Sequence, residues 1–142
     1  MVKRKASSEW KGKLKDGDGN MKLGSGAFEG RYSFLSRFKE GTGTNPEELI
    51  AAAHSGCYSM ALAASLGGEG YDPENVQTEA VVYLQKVEGD FTITKIHLKN
   101  RSKVPGIEED VFQEIAQDAK KNCPVSKALA SIDIELDAEL ES

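Results

Sequence analysis

Residues 44–66 read TNPEELIAAAHSGCYSMALAASL, and they decide how the rest of the chain is organised. The segment opens with a strong helix start. Asn45 suits the N-cap, Pro46 the first helical position, and Glu48 falls where a capping box places its carboxylate. From Leu49 to Leu66 the residues are helix-compatible and mostly small, and Gly67-Gly68 supplies the stop. Small side chains on every face imply close packing on all sides, so this reads as a long central helix. Its length raises the question of a membrane span. A run dominated by Ala, Ser and Gly with a histidine inside is too weakly hydrophobic for that, and a buried helix is the expectation.

Outward from this helix, the first third of the chain reads as strands joined by glycine-rich turns. Ala6, Ser8, Trp10, Gly12 and Leu14 alternate with mostly charged neighbours. Asp16-Gly17-Asp18-Gly19-Asn20 then suits a tight hairpin turn. It also resembles the start of a calcium loop, but Met21 stands where that loop needs Gly and Ala27 where it needs Glu. Gly24-Ser25-Gly26 lacks the lysine and hydroxyl of a phosphate loop and reads as another turn. Tyr32, Phe34 and Phe38 mark a further strand-like segment.

Beyond Pro73, strands are expected over 76–87 and 91–103, turned by Glu88-Gly89-Asp90. In the second, Phe91 and Ile93 occupy one face while Ile96 and Leu98 occupy the other, a change of phase that suggests a bulge or burial on both faces. Ile107, Val111, Phe112, Ile115, Ala116 and Ala119 give an amphipathic helix. Asn122-Cys123-Pro124 interrupts it, and a short helix restarts to Ala130 with Pro124 at its first position. Ile132, Ile134, Leu136, Ala138 and Leu140 alternate as a half-buried final strand. With 142 residues and no repeats or linkers, a single α+β domain spanning 1–142 is expected.

A net charge of −5 disfavours nucleic acid, which needs a concentrated basic surface. The alternating lysines near the N-terminus fit the solvent face of a strand. Met1–Trp10 has no apolar segment behind its positive charge, so a cytoplasmic location is expected, where thiols stay reduced. The two cysteines, Cys57 and Cys123, are then either inert or chemically active. A thiol in the middle of a buried helix is made less reactive by desolvation, so Cys57 acts as a nucleophile only if a cation is brought to it. Helical phase separates the adjacent glutamates: Glu47 lies on nearly the same side as Cys57, and Glu48 half a turn away. Glu47 is about 15 Å from Cys57 along the axis, beyond direct contact. A long intermediary is required, and an arginine is best suited because its planar fork binds a carboxylate bidentately. Arg37 is one such arginine, although spacing alone does not select it. His54, one turn before Cys57, is either a base or a hydrogen-bonded packing residue. Cys123 sits at the N-cap of a short helix, where backbone N–H groups favour a thiolate. The absence of a Cys-x-x-Cys pair argues against a thioredoxin-like site. Two histidines, 54 and 97, are too few partners for a plausible zinc centre.

The stretch Gly43–Leu62, with Asn122-Cys123-Pro124-Val125-Ser126-Lys127-Ala128-Leu129, closely resembles the OsmC/Ohr family of thiol-dependent hydroperoxide reductases, and more nearly its OsmC branch. The likeness extends through residues 93–96 and 104–107. It implies a two-layer α+β fold with long central helices on antiparallel sheets, in an intertwined homodimer. It also implies a Cys-based peroxidase without metal or other cofactor, serving stress defence. Cys57 would be the peroxidatic thiol and Cys123 the resolving one, joined as a disulfide in the cycle. Arg37 would activate the thiol and Glu47 orient that arginine. The implied substrates are an organic hydroperoxide and a dithiol reductant of the dihydrolipoyl type, with Phe34, Phe38, Tyr58 and Met60 as candidate pocket residues. Two rival readings on the same fold are a non-catalytic binder of a small apolar ligand and a redox sensor.

Overall fold

The structure, a computed structural model, describes all residues 1–142. It divides into two compact units, Met1–Leu49 and Ile50–Ser142.

The first unit holds a meander of β1 (Ala6–Lys11), β2 (Asp18–Leu23) and β3 (Glu29–Tyr32), in which each strand pairs antiparallel with the next. The β1 to β2 register joins Lys11 to Asp18, so the turn is residues 12–17 and Asp18-Gly19-Asn20 is already strand. This corrects the expectation that the whole Asp16–Asn20 segment is turn. Gly17 N–H closes the loop onto the Lys13 carbonyl at 2.8 Å. Gly19 is needed inside the strand because a Cβ there would come within 2.6 Å of the Tyr32 ring and 2.7 Å of the Trp10 ring, which flank it.

Phe34 and Phe38 were expected on a strand and lie instead on a short helix, α1 (Phe34–Phe38). A reciprocal capping box is the cause. Ser33 Oγ accepts from Ser36 N at 3.1 Å, and Ser33 N donates to Ser36 Oγ at 2.8 Å. The two phenylalanines, four residues apart, then pack with tilted rings, 5.0 Å between centroids.

Helix α2 (Pro46–Gly68) begins in the first unit and continues through the second. Asn45 Oδ1 accepts from Glu48 N at 2.7 Å, as an N-cap should. The Glu48 carboxylate does not complete a capping box; it accepts from the Thr44 hydroxyl at 2.7 Å.

The second unit contains β4 (Asn75–Val87), β5 (Asp90–Lys103), α3 (Glu109–Asn122), α4 (Pro124–Ala128) and β6 (Asp133–Glu141), with β5 central in the sheet. Strands β4 and β5 form a hairpin whose turn residues Glu88 and Gly89 both have positive φ, 52° and 87°. Its register slips at Tyr83/Leu84, where Tyr83 faces Lys95 and Leu84 faces Ile93. Thr94 is therefore the extra residue of the bulge that the change of phase implied. Strand β6 pairs parallel with β5, so the expectation of wholly antiparallel sheets is corrected. Between them the chain crosses over through α3 and α4, and a helical crossover returns a strand in parallel.

The core of this unit gathers Tyr58, Leu62 and Leu66 of α2, Ile96 and Leu98 of β5, and Phe112, Ala116 and Ala119 of α3, all fully buried. Each large apolar side chain so buried contributes roughly 1.5–3 kcal/mol. Helix α2 is long and apolar enough to cross a membrane by length and composition. Its stripe His54, Tyr58, Leu62, Leu66 instead faces this core. Burial on all sides, however, is not observed. Ala52, Ala53, Gly56, Met60 and Ala64 lie exposed on the other side of the same helix.

Candidate active site

In the first unit Arg37, implied by the resemblance, and Glu47 are brought together. Ser36, at the third position of α1, is tied to the approach to α2. Its hydroxyl donates to the Thr44 carbonyl at 2.7 Å, and Asn45 Nδ2 donates to the Ser36 carbonyl at 3.1 Å. These bonds fix Arg37, the next residue, against the start of α2. Arg37 Nε donates to Glu47 Oε1 at 3.0 Å and Nη2 to Oε2 at 2.9 Å, the two-armed geometry of a strong arginine–carboxylate pair. Glu47 is nearly buried, whereas about a third of the Arg37 side chain is open. The guanidinium carbon also lies 5.0 Å from the Phe38 ring centroid, within cation–π range. Arg37, Phe34 and Phe38, with Trp10, Leu14 and Tyr32, line a hollow of about 410 Å³.

In the second unit Cys57 and Cys123 meet. Their sulfurs are 3.0 Å apart although 66 residues separate them in sequence. Cys57 is partly exposed on α2, and Cys123 is fully buried at the joint between α3 and α4. Pro124 produces that joint because it has no N–H to continue α3 and suits the first position of α4. Cys123 serves both helices: its N–H donates to the Ala119 carbonyl at 2.9 Å and its carbonyl accepts from Lys127 N at 3.0 Å.

The two thiols have unlike surroundings. Burial first, then the proton it shares with Cys123, push the Cys57 thiol up, against a smaller opposing pull from the Val125 amide. Burial also pushes Cys123 up, but a hydrogen bond from Cys57, the amide and hydroxyl of Ser126 and the amide of Val125 outweigh it and bring Cys123 below an ordinary cysteine. Geometry alone permits either sulfur to donate. Of the two thiols, Cys123 is thus the more acidic and Cys57 the less.

His54 is hydrogen-bonded to α4. Its Nε2 is 2.7 Å from Ser126 Oγ, its Nδ1 has no partner, and burial pushes its pKa down. Ser126, in the Asn122–Leu129 segment, lies three residues after Cys123, about one helical turn on. His97 pairs with Asp137 on β6 at 2.6 Å. Of the candidate pocket residues, Tyr58 is excluded. It is fully buried, and its hydroxyl donates to the Ala116 carbonyl at 2.9 Å. Met60 is 76% exposed.

Comparison with known proteins places this geometry in context. The family of OsmC-like proteins matches residues 39–137, beginning just after Arg37. The chain is 45% identical over 142 residues to peroxiredoxin OsmC of Escherichia coli, covering 99% of both chains. It is 32% identical over 98 residues to the organic hydroperoxide resistance protein of Xanthomonas axonopodis pv. citri, covering 68% of this chain and 67% of that one. The crystal structure of an organic hydroperoxide resistance protein from Elizabethkingia anophelis superposes with a TM-score of 0.76 at 21% identity, covering 99% of this chain and 98% of that one. That last likeness concerns the fold, whereas the matched family and the sequence relatives carry the assignment: this chain belongs to the OsmC-like protein family.

Proposed function

We propose that the chain is a Cys-based peroxidase that reduces organic hydroperoxides to alcohols, with Cys57 attacking and Cys123 resolving. The observation that carries this reading is the 3.0 Å approach of the two sulfurs. A disulfide needs about 2.05 Å, so closure requires roughly 1 Å of travel.

In the proposed cycle the Cys57 thiolate attacks one peroxide oxygen, the O–O bond breaks, and the alkoxide leaves and takes up a proton as alcohol. Cys57 is then a sulfenic acid. Cys123 displaces its hydroxyl as water and forms the disulfide, which a dithiol such as a dihydrolipoyl group reduces by exchange. No step calls for a metal or other cofactor, and the reductant suits a thiol-rich compartment such as the cytoplasm.

Cys57 is a poor thiolate in its own unit, because burial and its partner both hold the proton on. Arg37 is the cation assigned to it. The fork to Glu47 uses Nε and Nη2, and a guanidinium has five N–H donors, so several remain for a thiolate and for the departing alkoxide. Glu47 holds the fork in place. The whole chain then acts as one catalytic domain. The exposed apolar side of α2, from Ala52 to Ala64, supports a homodimer in which a second copy covers it.

The test is consumption of cumene hydroperoxide by the reduced protein with a dithiol present. Cys57→Ser should abolish it, and Cys123→Ser should allow one turnover and leave a Cys57 sulfenic acid that dimedone traps. Unchanged turnover by both variants would sink the proposal.

A further inference from the structure

Cys57 and Cys123 are free thiols whose sulfurs stand 3.0 Å apart. The peroxidase reading uses them one after the other. A ligand that takes two thiols at once would find them already paired, and that reading names no such ligand.

We propose that Cys57 and Cys123 form a two-sulfur clamp for a trivalent arsenical that carries one organic group. The proposal goes beyond the peroxidase reading and rests on the two thiols and the backbone that holds them.

The ligand count points away from zinc and toward arsenic. Zinc takes four protein ligands in a structural site and three in a catalytic one. No third histidine, cysteine, aspartate or glutamate joins the two thiols in a metal-binding group. A mono-organic arsenic(III) centre needs only two sulfurs, because its third bond is to its own carbon. It is also a soft centre, the kind that thiolates select.

The sulfur separation agrees with the count. For bonds to sulfur of about 2.3 Å, a linear centre holds its sulfurs about 4.6 Å apart, a tetrahedral one about 3.8 Å, and a pyramidal one with angles near 95° about 3.4 Å. The pyramidal centre of arsenic(III) comes nearest to the observed 3.0 Å.

The clamp is held ready by the backbone. Cys123 is fixed at the joint of α3 and α4 through its N–H bond to the Ala119 carbonyl and the bond from Lys127 N to its own carbonyl. Cys57 is carried by α2, whose next residue, Tyr58, is fully buried in the core. Once one sulfur has bonded arsenic, the second closes the chelate within the same molecule. Such a second contact raises affinity by about 10²–10⁴ without any new kind of bond. Entry is from the side of Cys57, which is partly exposed, whereas Cys123 is fully buried.

The exchange is balanced without an oxidant. In water the arsenical is the dihydroxide, R–As(OH)2. Each thiol replaces one hydroxyl: an As–S bond forms, an As–O bond breaks, and the hydroxide leaves with the thiol proton as water. Two waters are released, arsenic stays trivalent, and neither sulfur is oxidised. The clamped chain has no thiol left to meet a hydroperoxide, since it contains only these two cysteines.

The test is titration of the reduced full chain with phenylarsine oxide under an excess of the monothiol mercaptoethanol. Intact mass should show one phenylarsenic group gained and two thiol hydrogens lost, and the dithiol dimercaptopropanol should strip the group. Cys57→Ser and Cys123→Ser should each weaken binding by about a hundredfold or more. Binding should also raise the urea midpoint of the reduced chain, because the clamp ties the same two points as a disulfide, and neither variant should show the rise. Zinc chloride alone should leave the midpoint unmoved. Binding by either variant within about tenfold of the unsubstituted chain overturns the proposal. An unmoved midpoint with the arsenical, or an equal rise with zinc, overturns it too. Cys57→Ser carries the comparison if Cys123→Ser does not fold. None of these readouts uses a hydroperoxide, so a chain that reduced none would lose the peroxidase reading and still decide the clamp.

Discussion

Arg37 and Glu47 meet through two parallel hydrogen bonds, Nε to Oε1 at 3.0 Å and Nη2 to Oε2 at 2.9 Å. The carboxylate is nearly buried and about a third of the arginine side chain is open, so the pair has a buried end and an accessible one. Lysine cannot reproduce the fork. Arg37→Lys and Arg37→Met should each lower kcat/KM for an organic hydroperoxide by about a hundredfold, and Glu47→Gln by about tenfold, losses on the scale of removing one electrostatic donor. Steady-state kinetics with a coupled dithiol assay checks the order. Equal activity of the lysine variant and the unsubstituted chain would falsify the role given to the fork.

Stability should depend on pH through His54. Its pKa is pushed below the ordinary 6.5 by burial, so the unfolded chain binds its proton more readily than the folded one. The contribution is fully present above pH 6.5 and is lost as pH falls from there through the depressed folded value. Urea midpoints measured from pH 7.5 down to 5 should fall, and His54→Gln should flatten that part of the slope.

Tyr58→Phe removes a buried hydroxyl whose acceptor, the Ala116 carbonyl, stays in the core. The loss should be about 1 kcal/mol, because the ring keeps its packing and one hydrogen bond disappears. Equilibrium urea unfolding measures it, and a stabilised variant would contradict the role assigned to this bond.

Gly19→Ala places a methyl group against two aromatic rings that already flank the strand. Overpacking of this kind costs roughly 1–3 kcal/mol. Trp10 is the one tryptophan in the chain, so its fluorescence reports the displacement directly. An unchanged emission spectrum and unchanged stability would contradict the close approach.

Much of the fold can be read from local pattern. Asn45-Pro46 marks the start of α2 because cap chemistry is written in adjacent residues, and the change of phase between Ile93 and Ile96 exposes the bulge at Thr94 because side-chain alternation is local. Non-local choices are less legible. The alternation of β6 says that one face is buried but nothing about its neighbour, and the parallel pairing with β5 follows from the crossover through α3 and α4. Phe34 and Phe38 suit a strand by type, and the Ser33–Ser36 capping box overrides that preference. Helical phase singled out Glu47, and resemblance supplied Arg37, whereas the bond between His54 and Ser126 joins residues 72 positions apart and leaves no local trace. Small side chains around α2 were read as burial on all sides, yet composition does not say whether the cover comes from the same chain.

The meeting of Cys57 and Cys123 has a consequence for chain topology. A covalent bridge there closes a ring spanning 66 positions of sequence, running from α2 through the β4–β5 hairpin and α3. Tying the ends of a loop that long removes conformational freedom from the unfolded chain, and on the loop-entropy model favours the native state by about 4 kcal/mol. In the proposed cycle the oxidised form is then the thermally sturdier one, and each reduction returns the chain to its more easily unfolded form.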